Sequence, residues 1–192
     1  MSSQIWWYIA RASGFVAWGL LSGSVISGLF ASTRITHGHP TAAWLVDLHR
    51  FLAGTGVVFT ALHLGGLVAD DFVQFGPADV LVPFASAWKP APVALGVVSL
   101  YLVTAVEVSS LLVRRLPRRG WKRIHLASFG FFWTSTFHLL LAGSDAANPV
   151  VRWAVVLVVA AVVFLTLVRI LAPRGRRRSS PVRPPARVSQ PV

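Results

Sequence analysis

Five long apolar stretches organise the chain, covering residues 5–30, 42–69, 91–113, 124–143 and 150–171. Each reaches roughly 20 residues or more, the length that carries an α-helix across a bilayer. Helix is the only regular structure expected, because an open strand leaves backbone N–H and C=O groups unsatisfied in hydrocarbon. The pattern predicts an all-α, polytopic membrane bundle of about five transmembrane helices within residues 1–172. From Pro173 the apolar periodicity stops and the chain turns Pro- and Arg-rich to Val192. Residues 173–192 therefore read as a disordered basic tail.

Composition sharpens this reading. Hydrophobic residues make up 55% of the 192 positions and charged residues 12%, against about 25% charge in ordinary soluble domains. A soluble globular domain and a disordered chain are both excluded. There is no Cys, which excludes disulfides, thiolate metal sites and covalently attached haem. The net charge of +12 suggests nucleic acid until the cations are mapped. Arg114, Arg115, Arg118, Arg119, Lys122 and Arg123 fall in one short segment, and Arg174, Arg176, Arg177, Arg178, Arg183 and Arg187 in the tail. That is the distribution of cytoplasmic loops in a membrane protein, and no nucleic-acid partner is expected. The opposite loops carry Asp70, Asp71, Asp79 and Lys89, then Asp145. A multi-pass protein of the cell membrane follows, with its N-terminus outside and its C-terminus cytoplasmic. The segment 70–90, with Phe75, Phe84 and Trp88, suits a stretch lying on the outer interface or capping something beneath it.

Ionisable residues inside a membrane are costly and mark function by default. His49 and His63 lie 14 residues apart on the second stretch, and His125 and His138 lie 13 apart on the fourth. Both stretches run in the same direction, so each membrane level receives one imidazole from each. At 1.5 Å per residue the levels are about 21 Å apart. A bare zinc ion needs about four ligands in one place. Haem brings four nitrogens of its own and needs only axial ligands, so two non-covalent haems b fit better. The competing reading is four buried imidazoles, each hydrogen-bonded within the bundle. His37 and His39 read as plain loop residues. Thirteen residues fall short of four helical turns, so the fourth stretch must tighten or distort, or the two haems must be offset in azimuth.

Further residues fit a haem site. Arg11, Arg50, Lys122 and Arg123 are candidate partners for haem propionates, whereas Arg152 and Lys89 read as interfacial cations. Gly56, in a stripe with Ala53 and Thr60, offers a flat surface for a macrocycle. Phe132, with Phe131, lies midway between the two His levels and either separates the haems or simply packs. Glu107 either relays a proton or bonds locally.

The chain resembles the ferric reductase-like transmembrane domain superfamily, which includes ferric-chelate reductases and the membrane part of NADPH oxidases. The resemblance rests on Arg-Ala-Ser-Gly-Phe-Val (11–16), Leu-His-Arg-Phe-Leu (48–52), Ala-Leu-His (61–63), Phe-Gly-Pro-Ala-Asp-Val-Leu-Val-Pro-Phe (75–84), Trp-Lys-Arg-Ile-His (121–125) and the paired His spacings. It covers roughly residues 5–145. It implies haem iron held by His49 with His125 and by His63 with His138, and electron transfer across the membrane as an oxidoreductase component. Many members have six helices and a flavin and nicotinamide domain; this sequence shows five stretches and no Gly-rich dinucleotide fingerprint. A separate donor, flavoprotein or quinol, and an external acceptor are therefore expected. The alternatives are a haem-binding sensor or assembly subunit, or a quinol-fed haem partner of an extracytoplasmic reductase.

Overall fold

The computed structural model describes residues 2–33, 41–71 and 73–171. His37, His39 and the tail 173–192 lie outside the described residues. Seven helices follow in order: α1 (Ser2–Ser32), α2 (Thr41–Ala69), α3 (Pro77–Leu81), α4 (Pro90–Leu111), α5 (Arg118–His125), α6 (Ala127–Ala142) and α7 (Pro149–Leu171). There is no strand among the described residues. Helices α1, α2, α4 and α7 are each long and apolar enough to cross a membrane, and α5 with α6 forms the fifth span. The expected all-α membrane bundle is what the chain adopts.

Lipid offers no hydrophobic drive between helices, so close packing and cross-helix hydrogen bonds must hold them together. The α1–α2 pair shows the first device. A Cβ on Gly66 would stand 2.8 Å from the Ala10 backbone nitrogen, and one on Gly56 would stand 2.6 Å from Leu21. The second device links α6 to two neighbours. Trp18 Nε1 donates to Thr136 Oγ1 at 3.1 Å, and Ser99 Oγ donates to Thr134 Oγ1 at 2.8 Å. Helix α1 touches α2, α6 and α7, while α4 packs on α6. Leu29, Phe132, Val162 and Leu165 form one apolar cluster between α1, α6 and α7. Leu21, Val103 and Phe131 form another between α1, α4 and α6. Large apolar side chains elsewhere stay exposed, as on α7 with Trp153, Leu157 and Ile170. That is what a lipid-facing surface requires.

The span that carries His125 and His138 is interrupted at Leu126, between α5 and α6. The Phe129 N–H bonds to the Leu126 carbonyl, three residues back, at 3.1 Å. A three-residue turn advances roughly 20° more per residue than an α-turn. The tightening foreseen for thirteen residues therefore falls at Leu126 and recovers part of the missing rotation.

Residues 73–88 fold over one end of the bundle. Phe75 is buried against Val93 and Val97 and meets the Trp88 ring edge-on at 6.0 Å. The Tyr101 hydroxyl donates to the Leu81 carbonyl. Leu81, Val82 and Phe84 remain exposed, so the segment both caps the bundle and offers an apolar outer surface.

At the same end, Arg11 of α1 makes a two-pronged ion pair with Asp145 in the α6–α7 turn. Its guanidinium also lies over the Trp7 ring, 4.8 Å from the centroid. Asp145 is mostly buried, and the Arg11 side chain is 36% exposed.

Two stability tests follow. Gly66→Ala should destabilise the bundle by about 1–3 kcal/mol, the usual cost of overpacking. Gly65→Ala meets nothing within 4 Å and should hold or gain stability; thermal unfolding of the detergent-solubilised chain separates the two. Arg11→Gln and Asp145→Asn should each cost about 1–3 kcal/mol, less than a fully buried pair because Arg11 keeps solvent contact. The double variant should cost little more than either single one, as a double-mutant cycle in the same assay would reveal.

Candidate functional site

The four spanning histidines meet in two pairs. The rings of His49 (α2) and His125 (α5) have centroids 5.9 Å apart and planes at 68°. Those of His63 (α2) and His138 (α6) stand 6.5 Å apart at 76°. Helix α2 packs chiefly on α1, and α6 on α4, and α1 and α4 position three of the four rings.

Three rings are positioned in the same way. His63 Nδ1 lies 2.7 Å from the Ala10 carbonyl, and a Cβ on Gly14 would stand 2.9 Å from that nitrogen. His49 Nδ1 lies 2.8 Å from the Ser24 carbonyl, and a Cβ on Gly28 would stand 3.1 Å away. His138 Nδ1 lies 2.8 Å from the Pro92 carbonyl, and a Cβ on Gly96 would reach its ring at 2.7 Å. In each case the ring lies in the notch left by a glycine and bonds to the carbonyl four residues earlier, on the same helix face. Ser24 adds its hydroxyl, 2.9 Å from His49 Nδ1.

A carbonyl only accepts, so each of these Nδ1 atoms carries the proton. In a neutral imidazole that leaves Nε2 with the free lone pair. Metal-binding histidines are oriented by this same contact.

His125 differs. Its Nδ1 is buried and has no partner among the described residues. Its ring stacks on Trp121, one turn earlier on α5, at 5.0 Å and 29°.

The donor set suits haem. Two metal–nitrogen bonds of about 2.0 Å, with about 1.1 Å from each nitrogen to its ring centre, would separate two imidazoles that hold one metal atom between them by roughly 6 Å. Both ring pairs stand close to that separation. No group of three or more His, Asp or Glu side chains is placed to hold a bare ion among the described residues.

Around His63 and His138 lies a cavity of about 450 Å³. Gly14, Gly96, Trp18 and Leu100 line its walls, and the Leu21, Val103 and Phe131 cluster closes it toward the middle of the bundle. Arg11, Lys89, Asp70 and Asp79 line its capped end. Lys89 Nζ donates to the Leu141 carbonyl at 3.2 Å. Asp70 is 5% exposed, and its Oδ1 is without a partner among the described residues.

The other candidate residues fall in varied places. Arg11 lines the cavity while paired with Asp145. Arg50 is exposed and stands 3.9 Å from Asp47, one helical turn away, with both side chains about three-quarters exposed. Lys122 and Arg123 are exposed on α5. Gly56 faces Leu21 of α1, so its missing side chain serves helix packing. Phe132 is fully buried among Leu29, Val162 and Leu165, and Phe131 alone of the two borders the cavity. Glu107 of α4 is half-buried at the level of His49, within electrostatic reach of it. Sequence reasoning read Asp70 and Asp145 only as outer-loop acids and Gly14 only as part of the 11–16 motif, did not single out Gly28 or Gly96, and placed none of the five at the site. One signal was available: Gly14 and Gly28 repeat the 14-residue interval of His49 and His63.

No family model, no curated protein and no solved structure matches this chain.

Proposed function

We propose that this chain is a b-type membrane cytochrome with two haems, held by His49 with His125 and by His63 with His138, that passes electrons across the membrane. The observation that carries this reading is the double pair of imidazoles, each pair separated by the width of one metal atom and its bonds. Three of the rings have Nδ1 bonded to a backbone carbonyl, which leaves the Nε2 lone pair available to a metal. Buried imidazoles present only for packing have no need to meet in pairs at two depths.

The haems would supply one-electron redox chemistry at the two levels. The protein's part is to orient the ligands and keep water from them. The carbonyls of Ala10, Ser24 and Pro92 fix the tautomer and raise the basicity of the opposite nitrogen. The Leu21, Val103 and Phe131 layer fills the space between the levels with apolar and aromatic atoms. At the capped end of the cavity Lys89 would offer an ammonium to an anionic propionate, while Arg11 is already paired with Asp145 and Asp70 and Asp79 line the same end.

The reading extends to orientation. Arg114, Arg115, Arg118, Arg119, Lys122 and Arg123 sit at the α4–α5 end, and Asp70, Asp79 and Asp145 at the other. The basic end is assigned to the cytoplasm, with the N-terminus outside. Electrons would come from a separate flavoprotein or a quinol, and an acceptor would take them on the opposite side. The resemblance to ferric reductase-like proteins points to an oxidoreductase component.

Two tests apply. A pyridine haemochrome assay on purified protein should give two b haems per chain. His63→Ala and His138→Ala should lose the same haem, and His49→Ala the other. Gly96→Leu should mimic the first pair by displacing the His138 ring. A haem count of one or zero, or the same loss from His49→Ala and His63→Ala, would sink the assignment. For orientation, a reporter fused after Val192 should be active only in the cytoplasm; activity on the far side would reverse the topology.

A further inference from the structure

The two centres are not built alike, and the difference lies in one ligand. His49, His63 and His138 each bond to a helix carbonyl across a glycine notch. To leave a bound iron, each must break that bond as well. His125 has no such bond and no glycine against it among the described residues. Its support is the Trp121 ring on its own helix, which moves with it. Helix α5 is eight residues long, contains no buried residue and joins α6 through the interruption at Leu126. Trp121 Nε1 is likewise buried, with no partner among the described residues. Two buried donors without acceptors carry a desolvation cost that rotation of α5 toward solvent would relieve.

We infer that His125 is an exchangeable ligand, so that the His49–His125 centre opens a coordination position for a small neutral ligand of the carbon monoxide class, while the His63–His138 centre stays closed. This rests on the dihaem reading above. In the exchange the bond from ferrous iron to His125 Nε2 breaks and one from iron to the ligand carbon forms. The iron remains ferrous and no electron moves. The rotation of α5 at Leu126 carries His125 and Trp121 away together.

The test uses the full chain in detergent, with haem counted first and then reduced by dithionite. Carbon monoxide should shift the Soret band of half the haem. In His63→Ala, which keeps only the His49–His125 haem, it should shift all that remains. Binding should become independent of carbon monoxide concentration when His125 release limits it. Trp121→Leu takes away no contact that the rotation breaks but removes one of the two unpartnered donors that favour it, and should lower that limiting rate about tenfold, the size of one buried unsatisfied donor. Two haems that both resist carbon monoxide would overturn this inference and leave the dihaem reading intact. Loss of the reactive haem in His63→Ala would also overturn it, as would an unchanged rate in Trp121→Leu. A haem-free chain would overturn both.

Discussion

The structure depends on a contact between an imidazole and a helix backbone. A carbonyl inside an α-helix already accepts one N–H, and its second lone pair is normally shielded by side chains. Where residue i is glycine, the carbonyl of residue i−4 on that face becomes reachable. Ala10 with Gly14, Ser24 with Gly28 and Pro92 with Gly96 all show this arrangement. The contact satisfies a polar ring atom that apolar surroundings would otherwise penalise. It also selects the tautomer. Helix α1 thus supplies none of the four paired histidines, yet it determines the orientation of both on α2.

This explains the composition of α1. Its small residues, Ala10, Ser13, Gly14, Ala17, Ser24, Ser27 and Gly28, keep the backbone close to α2. Antiparallel helices meet at equal intervals, so the 14-residue separation of Gly14 and Gly28 must equal that of His49 and His63. Each interval is nearly four turns, and the same contact recurs at two depths. The α5–α6 span has only thirteen residues between its histidines. It tightens at Leu126 and brings one histidine to each of the α2 histidines, and His125 has no carbonyl anchor among the described residues.

Much of this was legible in the sequence. The five spans follow from hydropathy, because lipid admits few alternatives. The His pairs follow from direction and depth, which residue counts supply. The notches did not follow, because they depend on register between helices. Gly56 shows the difficulty: it shares a stripe with Ala53 and Thr60, yet that stripe turns its glycine toward Leu21 rather than into the cavity. Phe131 and Phe132 differ by one residue and about 100°. That rotation sends one to the cavity and the other to a core against α7. Arg11 was visible as a membrane cation, but Asp145 lies 134 residues away in sequence. No local pattern joins them.

The two ends of the bundle differ in the same sense as the two His pairs. At the capped end, Phe75, Trp88, the Tyr101 hydroxyl and the Arg11–Asp145 pair each tie separate segments together. Both histidines there rest on carbonyls. At the basic end, α5 presents Arg118, Arg119, Lys122 and Arg123 to the surroundings and buries no residue. Like charges on one short helix favour solvent or anionic headgroups over a tight apolar seat. The positive charge that reads as a topology signal thus also accounts for the loosely seated helix. A segment this basic is too polar to pack deeply, and His125 is carried on it.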